Sequence, residues 1–117
     1  MDVYEVIRTV LAVREFQNKP VSGNAVNRII ESARLTGSSM NGQPWQFIVV
    51  RNRETLIELG TIVKSGPSIA QAAFGIVVAI DKSSQYGISD ASRAIQSMIL
   101  TAWSEGIGSN WTGWVGM

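Results

Sequence analysis

The chain has 117 residues and a mass of 12.7 kDa, room for one domain with one hydrophobic core that buries roughly two-thirds of the surface of the unfolded chain. With 45% hydrophobic and 16% charged residues and a mean hydropathy of +0.13, it is too apolar for a disordered segment, and part of its apolar surface is expected to lie against a partner. Ten basic and nine acidic residues leave a net charge of +1 with no run of like charge, which argues against a nucleic-acid or membrane-surface binder, and the lack of Cys and His excludes disulfides, thiol chemistry, Cys/His zinc sites and imidazole catalysis.

Asp2 followed by Glu5 resembles a capping box, and Val3, Val6, Ile7, Val10 and Val13 recur at helical spacing, which predicts an amphipathic helix over 2–13. Asn18-Lys19-Pro20 ends it. Ser22 is a suitable N-cap for a second helix, whose apolar stripe of Val26, Ile29, Ile30 and Ala33 runs to about Thr36. The polar stretch Gly37–Pro44 reads as a loop, and Trp45 to Val50, aromatic and β-branched, as a strand buried on both faces. Leu56, Leu59 and Val63 share one face of a helix over 54–64 that Ser65-Gly66-Pro67 breaks, and Phe74 to Ile80 reads as a second strand.

After a polar loop over 81–89, Asp90 is expected to cap a helix carrying Ala91, Ala94, Ile95, Met98 and Ala102 inward, with Gly106 ending it. Asn110 to Val115 is a candidate third strand. Helices around a few short strands indicate an α+β or α/β domain over 1–117 with three layers. The chain stops at Met117, directly after the candidate third strand's stretch, so the sequence is expected to be the N-terminal portion of a longer one. The first residues lack a signal-peptide pattern and no apolar run is long enough to span a bilayer, which predicts a soluble, cytoplasmic protein.

Unaided side-chain catalysis has little to work with. Asp81 and Asp90 have hydroxyl-rich neighbours but neither His nor Cys to act with them, and scattered carboxylates are commonly solvated caps or loop residues. An enzyme of this composition would borrow its reactivity from a cofactor. Gly106-Ile107-Gly108-Ser109 follows a helix and lacks the third glycine of a dinucleotide fingerprint, position 111 being Trp, so it reads as a helix end running into a strand.

The loop before Trp45 is richer. Asn41 and Gln43 each offer an acceptor and an amide donor pair, the complement of a heterocycle edge such as the pyrimidine edge of a flavin, and Ser38 and Ser39 add hydroxyls. Pro44 biases Gln43 toward an extended conformation. By composition alone a Ser/Asn/Gly turn feeding a strand is the simpler explanation of the loop. Arg14, at the end of the first predicted helix, is placed to hold a phosphate or merely to complement the helix dipole. Trp45, Trp103, Trp111 and Trp114 suit core or interface packing, or stacking on a ring.

Taken in order, these segments resemble the FMN-dependent nitroreductase family over nearly the whole chain. The resemblance rests on Val13-Arg14-Glu15-Phe16 followed by Pro20-Val21, on Glu31-Ser32-Ala33 leading to Ser38-Ser39-Met40-Asn41-Gly42-Gln43-Pro44-Trp45-Gln46-Phe47, and on Asp90 to Gly108 ahead of Ser109-Asn110-Trp111. The string S-x-x-N-x-Q-P-W-x-F is the most specific piece.

The resemblance implies an α+β homodimer with a central mixed or antiparallel sheet flanked by helices and FMN at the subunit interface. NAD(P)H and a small-molecule acceptor, a nitro compound, quinone or similar, would use one pocket in turn. Carried over by position, Ser38, Ser39 and Asn41 approach the flavin with Gln43 nearby, Arg14 reaches the phosphate, and Trp111-Thr112-Gly113 passes the reactive edge with backbone N–H groups toward N5 and O4.

No side chain need be catalytic and no metal is implied. Two departures stand out: Gly37 replaces the family's usual proline, and Val10, Leu11 and Ala12 replace basic and hydroxyl residues of the phosphate clamp. The second departure keeps open a noncatalytic relative that stores or senses flavin, and the unfinished C-terminus keeps open a partner-dependent structural fragment.

Overall fold

A computed structural model describes residues 1–113. Helix α1 spans Val3–Thr9 and is capped as its sequence predicts, Asp2 Oδ1 accepting from the Glu5 amide at 2.9 Å. The reciprocal half of the capping box does not form, because Glu5 gives its carboxylate to Arg8 at 2.8 Å. The helix also ends four residues early. Val10 turns extended (φ −59°, ψ 135°), Ala12 bridges in parallel to Ser109, and the Val13 amide donates to the Ser109 carbonyl at 2.9 Å. The apolar 10–13 stretch takes part in this extended pairing where periodicity alone continued the helix.

Helix α2 (Gly23–Arg34) begins at Ser22, whose Oγ accepts from the Ala25 amide at 3.2 Å, and buries Ala25, Val26, Ile29 and Ala33. Strand β1 (Trp45–Val50) pairs antiparallel with β2 (Gly75–Ile80), Trp45 opposite Ile80 and Val50 opposite Gly75. Between them lie α3 (Arg53–Ile62), capped by Asn52, and a 3-10 turn over Pro67–Gln71. Helix α4 (Gly87–Ser104) is followed by Gly106 at φ 79°, the left-handed position that a glycine past a helix end supplies.

Cross-strand neighbours share a face, so Trp45, Phe47, Ile76 and Val78 point together, and they pack on Ile29, Ala33, Ala94, Met98 and Ala102 of α2 and α4. On the opposite face Leu56 of α3 is fully buried beside Gly75, where an added Cβ would stand 3.2 Å from Leu56 Cδ2. Helices therefore flank a two-stranded antiparallel sheet, an α+β arrangement.

The expectation that β1 is covered on both faces fails: Leu56 of α3 packs beside Gly75, while Ile48 remains 50% exposed beside exposed Val77. The candidate third strand does not form over 110–113, which are irregular, and positions 114 and 115 lie outside the described residues; the bridge to Ala12 is made by Ser109, one residue before it. Among the described residues no helix is long and apolar enough to cross a membrane.

Candidate functional site

The loop between α2 and β1 folds into a single 3-10 turn, Ser39–Asn41. The Ser38 carbonyl accepts from the Asn41 amide at 3.0 Å, the Ser39 carbonyl from the Gly42 amide at 3.0 Å, and Ser38 Oγ from the Gln43 amide at 3.0 Å. Met40, Asn41 and Gln43 all sit in the left-handed region, with φ of 55°, 55° and 49°. That corrects the extended conformation expected of Gln43 ahead of Pro44: the hydrogen bond to Ser38 outweighs the steric bias of the proline. Left-handed backbone costs about 1–2 kcal/mol for most residues carrying a Cβ, so three in four positions need outside support.

The support comes from α4. Asp90 is 2% exposed, and its carboxylate accepts from the Ser39 amide at 3.1 and 3.3 Å and from Ser39 Oγ at 3.3 Å. Arg93, one turn on, lies 3.7 Å from Asp90 Oδ1 and donates to the Gly37 carbonyl. Asp90 is thus neither the N-cap of α4 nor a solvated loop carboxylate. Helix α4 starts at Gly87, and Asp90 stands inside its first turn, where the helix dipole favours a negative charge. Asp81 does fit the expectation of an exposed loop residue; the Ser83 hydroxyl and amide donate to it at 2.7 and 2.9 Å and hold its carboxyl below the ordinary range.

On the outer side of the loop Gln43 Nε2 donates to Asn41 Oδ1 at 2.8 Å. The pair is exposed, and it leaves Asn41 Nδ2 as a donor and Gln43 Oε1 as an acceptor with no partner among the described residues. A donor beside an acceptor is what a ring edge of alternating N–H and C=O groups requires. Ser38 and Ser39, both half-buried, spend their hydroxyls within the protein.

Arg14 and the Trp111–Gly113 segment lie elsewhere. Arg14 is not at a helix end, since α1 stops at Thr9; it is exposed, on irregular chain two residues beyond the Ala12 bridge, and has no salt-bridge partner among the described residues. Trp111 stands two residues beyond Ser109 on the other side of that bridge and is 65% exposed. Thr112 is half-buried against the 65–66 turn, 3.3 Å from Ser65 Oγ, and a Cβ on Gly66 would come within 2.7 Å of Thr112 Oγ1. Gly113 is exposed, with open space around it.

The loop at 38–43 is therefore anchored at the first turn of α4, and Arg14 with Trp111–Gly113 follows its last turn. The 18 residues of α4 make it about 27 Å long. Among the described residues no hydrogen bond or ion pair joins the two groups. Trp45 and Trp103 pack inside, Trp45 tilted against Phe47 and Trp103 Nε1 donating to Thr9 Oγ1 at 2.9 Å, while Trp114 lies outside the described residues. Among the described residues no group of three or more Asp, Glu, His or Cys could hold a metal ion.

The nitroreductase family profile matches residues 8–86, a span that takes in Arg14 and the whole 38–43 loop. The chain belongs to the nitroreductase family. A Methanothermobacter thermautotrophicus protein provisionally named NADH dehydrogenase/NAD(P)H nitroreductase is 35% identical over 97% of this chain. The chain spans 61% of that relative's length and 66% of an Archaeoglobus fulgidus relative of the same name.

Among solved structures, an FMN-dependent nitroreductase of Clostridium difficile superposes with a TM-score of 0.88 at 30% identity, over 92% of this chain and 64% of that one. A provisionally named nitroreductase of Desulfovibrio desulfuricans, solved in complex with FMN, gives a TM-score of 0.84 at 28% identity, over 96% of this chain and 68% of that one. The sequence marks Asp90 only as an acidic residue near a helix start; its hold on the Ser39 backbone, fifty-one residues away, has no local signal.

Proposed function

We propose that this nitroreductase-family chain binds FMN and works as a cytoplasmic NAD(P)H-dependent oxidoreductase, reducing a nitro compound, quinone or similar acceptor as a homodimer with FMN between the subunits. The observation that carries the reading is the exposed amide pair of Asn41 and Gln43, with one donor and one acceptor left over on a backbone fixed in an unusual conformation. The donor set fits the group: this pair suits the pyrimidine edge, and unpaired, exposed Arg14 suits a phosphate. FMN, when bound, supplies the redox chemistry between the nicotinamide and the acceptor.

The chain's own residues bind and orient. Asn41 and Gln43 would hold the ring edge, Ser38 and Ser39 keep the loop in shape, and Arg14 would take the phosphate. Backbone amides of Trp111, Thr112 and Gly113 would serve the reactive edge, where fixed donors favour an electron-rich ring. The opposite-end placement along α4 supports a dimeric site, in which the 38–43 loop of one subunit would meet the Arg14 and Trp111 region of another. Exposed Val3, Tyr4, Ile7 and Leu11 offer apolar surface for such a contact.

The test is the visible spectrum of the full natural chain as purified and after FMN is added. Flavin bands with saturable binding are expected; a colourless protein that takes up no FMN overturns the reading. A second reading, a flavin-storing or flavin-sensing dimer without turnover, is favoured by Val10, Leu11 and Ala12, which are apolar and lie off the helix next to Arg14. Steady NAD(P)H oxidation by FMN-loaded protein with a quinone counts against it.

A further inference from the structure

Asp90 is the buried charged residue among those described, and the reaction proposed above gives it no task. A carboxylate is rarely taken out of water unless its oxygens are well satisfied. Here they are satisfied by one neighbouring residue of the loop, through the Ser39 amide at 3.1 Å and the Ser39 hydroxyl at 3.3 Å. Arg93 adds a second hold on the same loop through the Gly37 carbonyl while lying 3.7 Å from Asp90 Oδ1. Two side chains one helical turn apart therefore grip the loop on both sides of Ser38.

The left-handed residues begin immediately after this grip, at Met40, Asn41 and Gln43. Met40 is 94% exposed, so its own side chain contributes no packing that would hold the backbone there. Strained backbone persists where its surroundings over-determine it, and it collects at ligand-holding positions. The anchoring by Asp90 and Arg93 is what fixes the direction in which the Asn41 and Gln43 amides are presented.

We infer that Asp90, assisted by Arg93, is a positioning residue for flavin binding: it touches no ligand, and it locks the Gly37–Gln43 loop so that the Asn41 and Gln43 amides are preorganised for the ring edge. The inference rests on the flavin reading above. Preorganisation of this kind raises affinity by removing the ordering cost from the binding step. Its mark is a defect confined to the ring edge, with the phosphate contact at the far end of α4 left intact.

The experiment compares wild type, Asp90→Ala, Asp90→Asn and Arg93→Gln in the full natural chain. It reads amide hydrogen exchange of the ligand-free protein, the Kd of FMN and of riboflavin by flavin fluorescence, and the midpoint potential of the bound flavin. Asp90→Ala is expected to speed exchange at 39–43 while amides of β1 and β2 keep their protection. It should weaken FMN and riboflavin by the same factor, about tenfold to a hundredfold, the loss that follows when a charge-assisted anchor is removed. Asp90→Asn keeps an acceptor oxygen and should recover part of that loss. Combining Asp90→Ala with Asn41→Ala should cost little beyond Asp90→Ala alone, because both remove one edge contact.

The midpoint potential should fall in Asp90→Ala as the ring edge loses fixed donors, a change that a purely structural role would not produce. Arg93→Gln, at an exposed position, covers the case in which Asp90→Ala does not fold; it should weaken both ligands about threefold, as loss of one partly exposed charged contact does. Faster loop exchange with unchanged flavin affinity overturns the inference and leaves the flavin reading standing. Exchange that rises across the whole molecule, or a loss for FMN much larger than for riboflavin, overturns it as well. A wild-type chain that binds neither ligand overturns the flavin reading, and this inference with it.

Discussion

The two ends of α4 hold their neighbours by different means. At the first turn a buried carboxylate and a guanidinium grip the 37–39 backbone through charge-assisted hydrogen bonds, and the loop beyond them adopts a conformation that most side chains disfavour. Past the last turn the chain is held by fit. One parallel bridge joins Ala12 to Ser109, and glycines allow close approach: a Cβ on Gly108 would stand 2.7 Å from Val13 Cγ2, and one on Gly66 2.7 Å from Thr112 Oγ1. The first end should respond to changes in charge and backbone freedom, the second to added volume.

The largest expected effect tests the second end. Gly108→Ala should destabilise the fold by about 2 kcal/mol, since the new methyl meets a β-branched side chain with little freedom to turn away. Chemical denaturation checks this; a variant as stable as wild type would mean that the 108–112 segment is not held by fit. A smaller effect of opposite sign belongs to the first end. Met40→Gly should stabilise the protein by about 0.5 kcal/mol, relief of the left-handed strain exceeding the backbone entropy that glycine adds. It should also speed exchange of the Asn41 amide, so stability and loop order move in opposite directions.

The smallest effect separates exposed from buried charge. Glu105, next to the end of α4, accepts from Arg28 Nε at 2.8 Å, and this hydrogen bond holds its carboxyl below the ordinary range. A carboxyl lowered in the folded state contributes above its unfolded pKa and loses that contribution as the pH falls through the folded value. Glu105→Gln should therefore lower the midpoint slightly at neutral pH and converge with wild type in acid. The difference should also shrink in molar salt, as for an exposed pair. Asp90→Asn should retain its effect in the same salt, because Asp90 is shielded from solvent.

Local signals were legible and distant ones were not. Asp2 and Ser22 cap the helices that their sequence predicts, β1 has the predicted limits, and the inward residues of α4 follow their 3.6-residue period. Each depends on neighbours within about a turn of chain. The early end of α1 depends instead on Ser109, and the burial of Asp90 on a serine fifty-one residues away. No window of local sequence holds either pairing. The left-handed backbone at Gln43 was hidden for a related reason: the steric rule for a residue before proline gives way to one hydrogen bond that the Gln43 amide donates to Ser38 Oγ. The amide-rich composition of the loop was visible, and the direction in which it offers those amides was not.

One unbroken helix lies between the two ends, and a helix is a gauge in angle as well as in length. Adding one residue between Ala94 and Met98 would lengthen α4 by about 1.5 Å and rotate its first turn by about 100° against its last. Asp90 would then swing away from the 39 amide while Ser104 kept its place. The interior of α4 should accordingly reject single-residue insertions that the polar turn at 81–86 accepts, even where the inserted residue is alanine.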